Sequence, residues 1–143
     1  MNVDAFGSTV TIDDALVAEP ADDVRKQVRE YERGDRRTFD LEVDLADGLA
    51  GEVMATMLEI PYGETRTYGD LADELETAPV AVGRACAQNP VPVIVPCHRV
   101  VGSDGGLRGY SAADGVATKR RLLEFEARNR GARPAQARLT GEW

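Results

Sequence analysis

The chain has 143 residues, a formal net charge of −8, 43% apolar residues and 29% charged residues. These figures fit one folded soluble domain, or a domain with a small annex, and argue against disorder. No apolar run nears the ~20 residues of a membrane span.

Two cysteines and one histidine exclude a four-ligand zinc site of the usual kind. With no export signal at the start, both thiols are expected to stay reduced in a cytosol. The charge is uneven. Residues 1–47 carry a net −7, residues 48–96 a net −5 and residues 97–143 a net +4. The overall balance argues against generic nucleic-acid binding, while the last third is locally basic.

Taken in chain order, Ser8 to Ile12 alternates and predicts a strand, with Asp13-Asp14 as a turn and Ala15 to Ala18 as its hairpin partner. Pro20 opens a helix in which Val24, Val28 and Tyr31 recur at helical spacing, and Gly34 stops it. Thr38 to Val43 reads as a strand or an extended linker. A second helix spans Leu49 to Glu59, with Leu49, Val53, Met54, Met57 and Leu58 as its apolar stripe and Pro61 as its end.

Thr67 is the expected N-cap of a short helix, with Asp70 in the capping-box position and Leu71, Ala72 and Leu75 inward. Pro79 starts the next helix, Val80 to Gln88. Joined by Glu76-Thr77-Ala78, the two read as a helix-turn-helix. Pro90, Pro92 and Pro96 push Asn89, Val91 and Val95 into extended conformations. The stretch before Cys97 is therefore expected to be a stiff apolar rope, not a central strand. Ser103-Asp104-Gly105-Gly106 signals a hairpin turn. A last helix runs from Ala113 to Arg130, with Val116, Leu122, Leu123 and Phe125 apolar, and the tail from Gly131 reads as mobile.

The chemistry concentrates at one point. A thiol attacks as thiolate, so it needs a base or a positive neighbour. Cys97 is followed by the only histidine, His98, and by Arg99. On an extended chain adjacent side chains face opposite ways. Proton transfer between Cys97 and His98 then needs a bridging water or a tight turn. The imidazole also wants an acidic orienter, and Glu124 and Glu126 are both candidates. Cys86, on an Ala-rich helix, reads as a buried apolar residue.

Asn89-Pro90-Val91-Pro92-Val93-Ile94-Val95-Pro96-Cys97-His98-Arg99-Val100-Val101 resembles the active-site signature of the O6-alkylguanine-DNA alkyltransferases, the methylated-DNA–protein-cysteine methyltransferases. Ile60-Pro61-Tyr62-Gly63-Glu64-Thr65, Thr67-Tyr68-Gly69-Asp70-Leu71-Ala72, Gly109-Tyr110-Ser111 and the Leu122-Leu123 helix keep the family order, so the resemblance covers about residues 49–128. It implies an α/β (α+β) protein. A small, reduced N-terminal ribonuclease-H-like annex (1–47) would precede a mostly helical winged helix-turn-helix catalytic domain (48–130) and a tail (131–143).

The implied activity is DNA repair by direct reversal, an irreversible, once-only transfer of an alkyl group from guanine O6 to Cys97. His98 would deprotonate the thiol through water. Counting from Leu122-Leu123 makes Glu126, not Glu124, the orienter. Tyr68 would protonate the leaving guanine. The Ser111 N–H, next to Tyr110, would contact the guanine oxygen, and the carbonyls of Cys97 and Val100 would accept from the exocyclic amine. Asn89 would brace the turn before the active-site segment. The implied partner is double-stranded DNA containing O6-alkylguanine, contacted through Val80, Ala81, Arg84, Gln88 and Arg99. Small residues on that helix suit minor-groove docking with nucleotide flipping better than major-groove readout. No cofactor, metal or membrane is implied, and a cytoplasmic monomer is expected.

Two departures stand out. The family has an arginine where this chain has Val80, filling the gap left by the flipped nucleotide, and Arg84 lies one helical turn on. Val80 then serves as an apolar wedge, or Arg84 substitutes, or flipping is weak. The annex is also shorter than usual, and the zinc ligands of some relatives are absent. The alternatives are a non-enzymatic or weakly active lesion-binding protein of the same fold, a helix-turn-helix regulator, and a cysteine hydrolase, which would need an oxyanion hole.

Overall fold

A computed structural model describes residues 1–103 and 115–130. The expected turn at Asp104-Gly105-Gly106, the residues Tyr110 and Ser111, the start of the last helix at Ala113 and the tail all lie outside the described residues. Within them, five α-helices and two two-stranded sheets form a mixed α and β fold.

Strands β1 (Asn2–Ala5) and β2 (Ser8–Thr11) pair antiparallel, Asn2 opposite Thr11. The strand expected at Ser8 is present, but its partner precedes it. Phe6 and Gly7 both take left-handed φ values, 53° and 77°. That sign pattern matches the twist of a tight hairpin, and Gly7 adopts it freely. The expected partner, Ala15 to Ala18, is drawn elsewhere. The Asp13 carboxylate accepts the Ala15 N–H at 3.2 Å, and Asp14–Leu16 curls into a 3-10 turn. Val17 then forms a single antiparallel bridge with Val43. Thr38 to Val43 is thus a linker that ends in one bridge.

Helix α1 (Ala21–Glu32) follows Pro20 and buries Val24, Val28 and Tyr31, each at 0–1% exposure. Gly34, at φ 82°, closes it: the Gly34 N–H donates to Tyr31 O (3.1 Å) and the Asp35 N–H to Glu30 O (2.8 Å). This double bond satisfies carbonyls that a helix end leaves open. Helix α2 (Gly48–Leu58) turns Gly51, Val53, Met54 and Met57 inward, while Leu58 from the expected stripe is exposed.

Strand β3 (Arg66–Thr67) runs straight into α3 (Tyr68–Leu75). The capping box is complete: the Asp70 N–H donates to Thr67 Oγ1 at 2.9 Å and the Thr67 N–H to Asp70 Oδ2 at 3.0 Å. These bonds hold the exposed Asp70 carboxyl below its ordinary value. Helix α4 (Pro79–Ala87) packs against α3 across a turn in which Glu76 is left-handed, at φ 55°. Strand β4 (Val100–Val101) pairs parallel with β3, and α5 (Val116–Arg130) completes the described fold.

The segment before Cys97 departs from the straight rope. It folds back, with Val93 at φ 73° and the Val95 N–H on Val91 O at 2.9 Å. The prolines restrict Asn89, Val91 and Val95 but leave Val93 and Ile94 free to turn. Left-handed backbone at a β-branched residue costs about 1–3 kcal/mol. Val91, Val93, Ile94 and Val95 are all buried, and each such side chain contributes roughly 1.5–3 kcal/mol, so burial wins.

One cluster of buried side chains runs from Val3 to Leu122, so the N-terminal elements share a core with the rest. The buried face of α5 also differs from expectation. Thr118, Lys119, Leu122 and Glu126 point inward, and Val116 is 37% exposed. Polar atoms on that face have partners across the core, which makes their burial tolerable.

Candidate active site

Cys97–Arg99 forms a 3-10 turn packed against α2 and α5. The backbone here is a tight turn rather than the extended chain the sequence suggested. The Asn89 side chain fastens the chain that leads into it. Its Nδ2 donates to Val95 O at 2.9 Å, and its Oδ1 accepts the Val91 N–H at 3.1 Å.

His98 and Glu126 are both 0% exposed. The Nε2 of His98 lies 2.8 Å from Glu126 Oε2. The Arg99 guanidinium clasps the same carboxylate from Nε to Oε1 and from Nη2 to Oε2, each at 2.9 Å. Its remaining edge donates from Nη1 to Ile60 O at 2.8 Å. The Tyr31 hydroxyl donates to Oε2, and the Gly63 N–H reaches Oε1 at 3.4 Å. Glu124 is exposed, so the choice between the two glutamates falls to Glu126.

Burial alone would raise the Glu126 carboxyl, but His98 and Arg99, through charge and hydrogen bonds, hold it well below the usual carboxylate range. Burial pushes His98 below its ordinary value despite the upward pull of Glu126. Burial also pushes the Cys97 thiol up to about 11, only partly countered by the Asn89 side chain and Lys119. The resting site therefore holds a neutral thiol, a neutral imidazole and a carboxylate anion. With Nε2–H donated to Glu126, the basic nitrogen is Nδ1, which is buried with no hydrogen-bond partner among the described residues.

Arg99 corrects an expectation. It is 7% exposed with its guanidinium bound to Glu126 and Ile60, so it is not available as a DNA contact. Tyr68, at the start of α3, is buried, and the Lys119 Nζ donates to its hydroxyl at 3.1 Å. Val100 is buried in β4, opposite Arg66, and the Cys97 carbonyl accepts the Val100 N–H. Val80 is 67% exposed, and Arg84 and Gln88 are exposed with it. Four residues apart, Val80 and Arg84 share one face of α4, beside the half-buried Ala81, with Gln88 at its C-cap. Val82 and Cys86 point inward, and the Cys86 thiol meets Met57 Sδ at 3.6 Å, as its apolar reading anticipated.

Two buried groups escaped the reading of the sequence. Lys119 lies seven residues before Glu126 and three before Leu122, so the helical period could have placed it on the same inward stripe. Tyr31 was legible only as a core residue, because its partner lies 95 residues away.

Fold and site together define a mixed α and β protein in which a buried histidine–glutamate pair adjoins a buried cysteine. The family described as 6-O-methylguanine DNA methyltransferase, DNA binding domain, matches residues 49–128. The chain is 46% identical over 103 residues to a methylated-DNA–protein-cysteine methyltransferase of Mycobacterium bovis, covering 70% of this chain and 61% of that protein. The corresponding Archaeoglobus fulgidus protein is 41% identical over 106 residues, 71% of each chain. Among solved structures, the R37L variant of the Mycobacterium tuberculosis O6-methylguanine methyltransferase superposes with a TM-score of 0.72 at 35% identity, over 93% of this chain and 92% of that one. The M. tuberculosis OGT in complex with DNA gives 0.69 at 43% identity, over 74% and 65%. The chain spans about three fifths of the mycobacterial relative's length. It belongs to the methylated-DNA–protein-cysteine methyltransferase family.

Proposed function

We propose that this protein repairs DNA by moving an alkyl group, typically methyl, from guanine O6 to the Cys97 sulfur, once per molecule. The observation that carries this reading is the buried relay in which His98 Nε2 is tied to Glu126 at 2.8 Å, leaving Nδ1 as the base for the adjacent thiol. The Cys97 proton passes through a water to His98 Nδ1. The sulfur lone pair forms the S–C bond as the C–O6 bond breaks, and that electron pair goes to the guanine. Tyr68 gives the guanine a proton, and Lys119, bonded to the Tyr68 hydroxyl, steadies the phenolate. The imidazolium proton then returns to the phenolate through solvent. The thioether is stable, so no turnover follows.

The partner in this reading is duplex DNA containing O6-alkylguanine, met on the Val80, Ala81, Arg84 and Gln88 face of α4. Asn89, Val100, Tyr110 and Ser111 are assigned to the guanine site. Residues 1–47 are assigned to a ribonuclease-H-like annex and 48–130 to a winged helix-turn-helix domain, in a cytoplasmic monomer. Val80 in place of an arginine favours, as a second reading, a weakly active lesion-binding protein of the same fold.

The test is incubation with an O6-methylguanine duplex, then mapping of the Cys97 peptide by mass spectrometry. One added methyl on Cys97, absent from Cys97→Ser, is the expected result. Tight lesion binding with no mass change selects the second reading, and product beyond one equivalent selects a hydrolase.

A further inference from the structure

Tyr31 sits on α1, far from the signature in sequence, yet its hydroxyl donates to the same Glu126 oxygen that meets His98 Nε2. Four aromatic rings wall the Tyr31 ring. Phe39 lies 5.4 Å away, Phe6 and Tyr62 each 5.9 Å and Phe125 6.0 Å, centroid to centroid. A ring so enclosed cannot swing, so the hydroxyl is aimed by packing. Packing itself does not require that hydroxyl, because phenylalanine fills the same space.

We propose that Tyr31 is a positioning residue for the His98 base, setting through Glu126 how tightly the imidazole holds a proton. The inference rests on the alkyl-transfer reading, in which His98 is that base. Oε2 divides its charge among three donors: the Tyr31 hydroxyl, His98 Nε2 and Arg99 Nη2. Each donor leaves less charge to stabilise an imidazolium. Removing the hydroxyl makes Glu126 a stronger counter-ion, so His98 takes up its proton at a higher pH.

Among the described residues, the other titratable groups acting on His98 and Glu126 are Arg99 on the same turn as His98, Lys119 from α5, and Tyr62 from the loop after α2. Tyr31→Phe alters none of their charges. Burial and the Glu126 charge keep the Tyr31 phenol protonated well above its ordinary range, so it donates throughout the working pH. The N-terminal helix is then a working part of the site, not only a support.

The test uses the full chain and its single histidine, whose imidazole signals need no assignment. In Tyr31→Phe, NMR titration should show the His98 pKa raised by about one pH unit, a tenfold change in proton affinity. The acid limb of methyl transfer should move up by the same amount while the plateau rate holds. Phe39→Leu loosens the ring wall without touching Glu126, so it should lower Tm and leave the titration in place. An unmoved His98 in Tyr31→Phe overturns the proposal. So does a loss of rate by the same factor at every pH, or an equal titration shift in Phe39→Leu. The titration needs no DNA, so it succeeds or fails independently of methyl transfer.

Discussion

Glu126→Gln removes the anion that Arg99 and His98 both contact. Arg99 makes two 2.9 Å bonds to Glu126 and is 7% exposed. Breaking a buried ion pair from one side costs about 3–5 kcal/mol, because the other charge is left uncompensated. At roughly 4 °C per kcal/mol for a chain of this size, Tm should fall by about 10–20 °C. The glutamine amide can also donate to His98 Nε2. That selects the tautomer with its proton on Nδ1 and removes the base. General-base catalysis is worth about 100-fold to 10,000-fold, so transfer should slow by at least a hundredfold. Glu124→Gln, at an exposed position, should change stability by less than about 0.5 kcal/mol and leave the rate intact.

The assay is single-turnover methyl transfer from an O6-methylguanine duplex, read on the Cys97 peptide below the variant's melting temperature. Acid sensitivity gives a second readout. A carboxyl held below its unfolded value near 4.3 stabilises the fold above that pH, and the contribution drains as acid protonates it. Glu126→Gln should therefore lose part of the wild type's acid sensitivity. Transfer by Glu126→Gln within about threefold of wild type, under 1 kcal/mol, would refute the relay. A slower Glu124→Gln would refute the choice of glutamate.

Val80→Arg should speed transfer several-fold on duplex DNA and not on a single strand, since it supplies a group to fill the flipped-out gap; no gain in a folded variant removes that account. The free protein should label slowly with iodoacetamide near neutral pH, because the thiol is raised to about 11, with labelling rising about tenfold per pH unit below that value. A flat pH profile would mean that a thiolate already exists. Lys119→Met removes a fully buried ammonium while keeping its length. Its transfer rate should fall about tenfold or more through loss of the Tyr68 contact, and an unchanged rate would take Lys119 out of the mechanism.

Local chemistry was legible along the chain. Pro20 and Gly34 bracket α1, and the Thr67–Asp70 box and Pro79 open α3 and α4. These signals act within one turn of backbone, so neighbours in sequence suffice to read them. The Cys97-His98-Arg99 run and its prolines marked the candidate site.

The pairing of elements was less legible. The hairpin partner of Ser8–Thr11 was misplaced because two short flanking segments competed for it, and the left-handed Phe6-Gly7 turn favoured the earlier one. The residues before Cys97 obeyed their prolines individually but turned at Val93, where burial outweighed backbone strain. Arg99 looked like a surface cation because charge is visible in sequence and burial is not.

Which side chains share a proton network is a property of contacts across long stretches of chain. Glu126 gathers donors from residues 31, 63, 98 and 99, and no periodicity links those positions. Residue order supplied the candidate nucleophile, its candidate base and the helices that present them. Folding alone brought Tyr31, Arg99 and Glu126 together, because desolvation makes a lone buried charge costly and the core closes only when each one finds its partner.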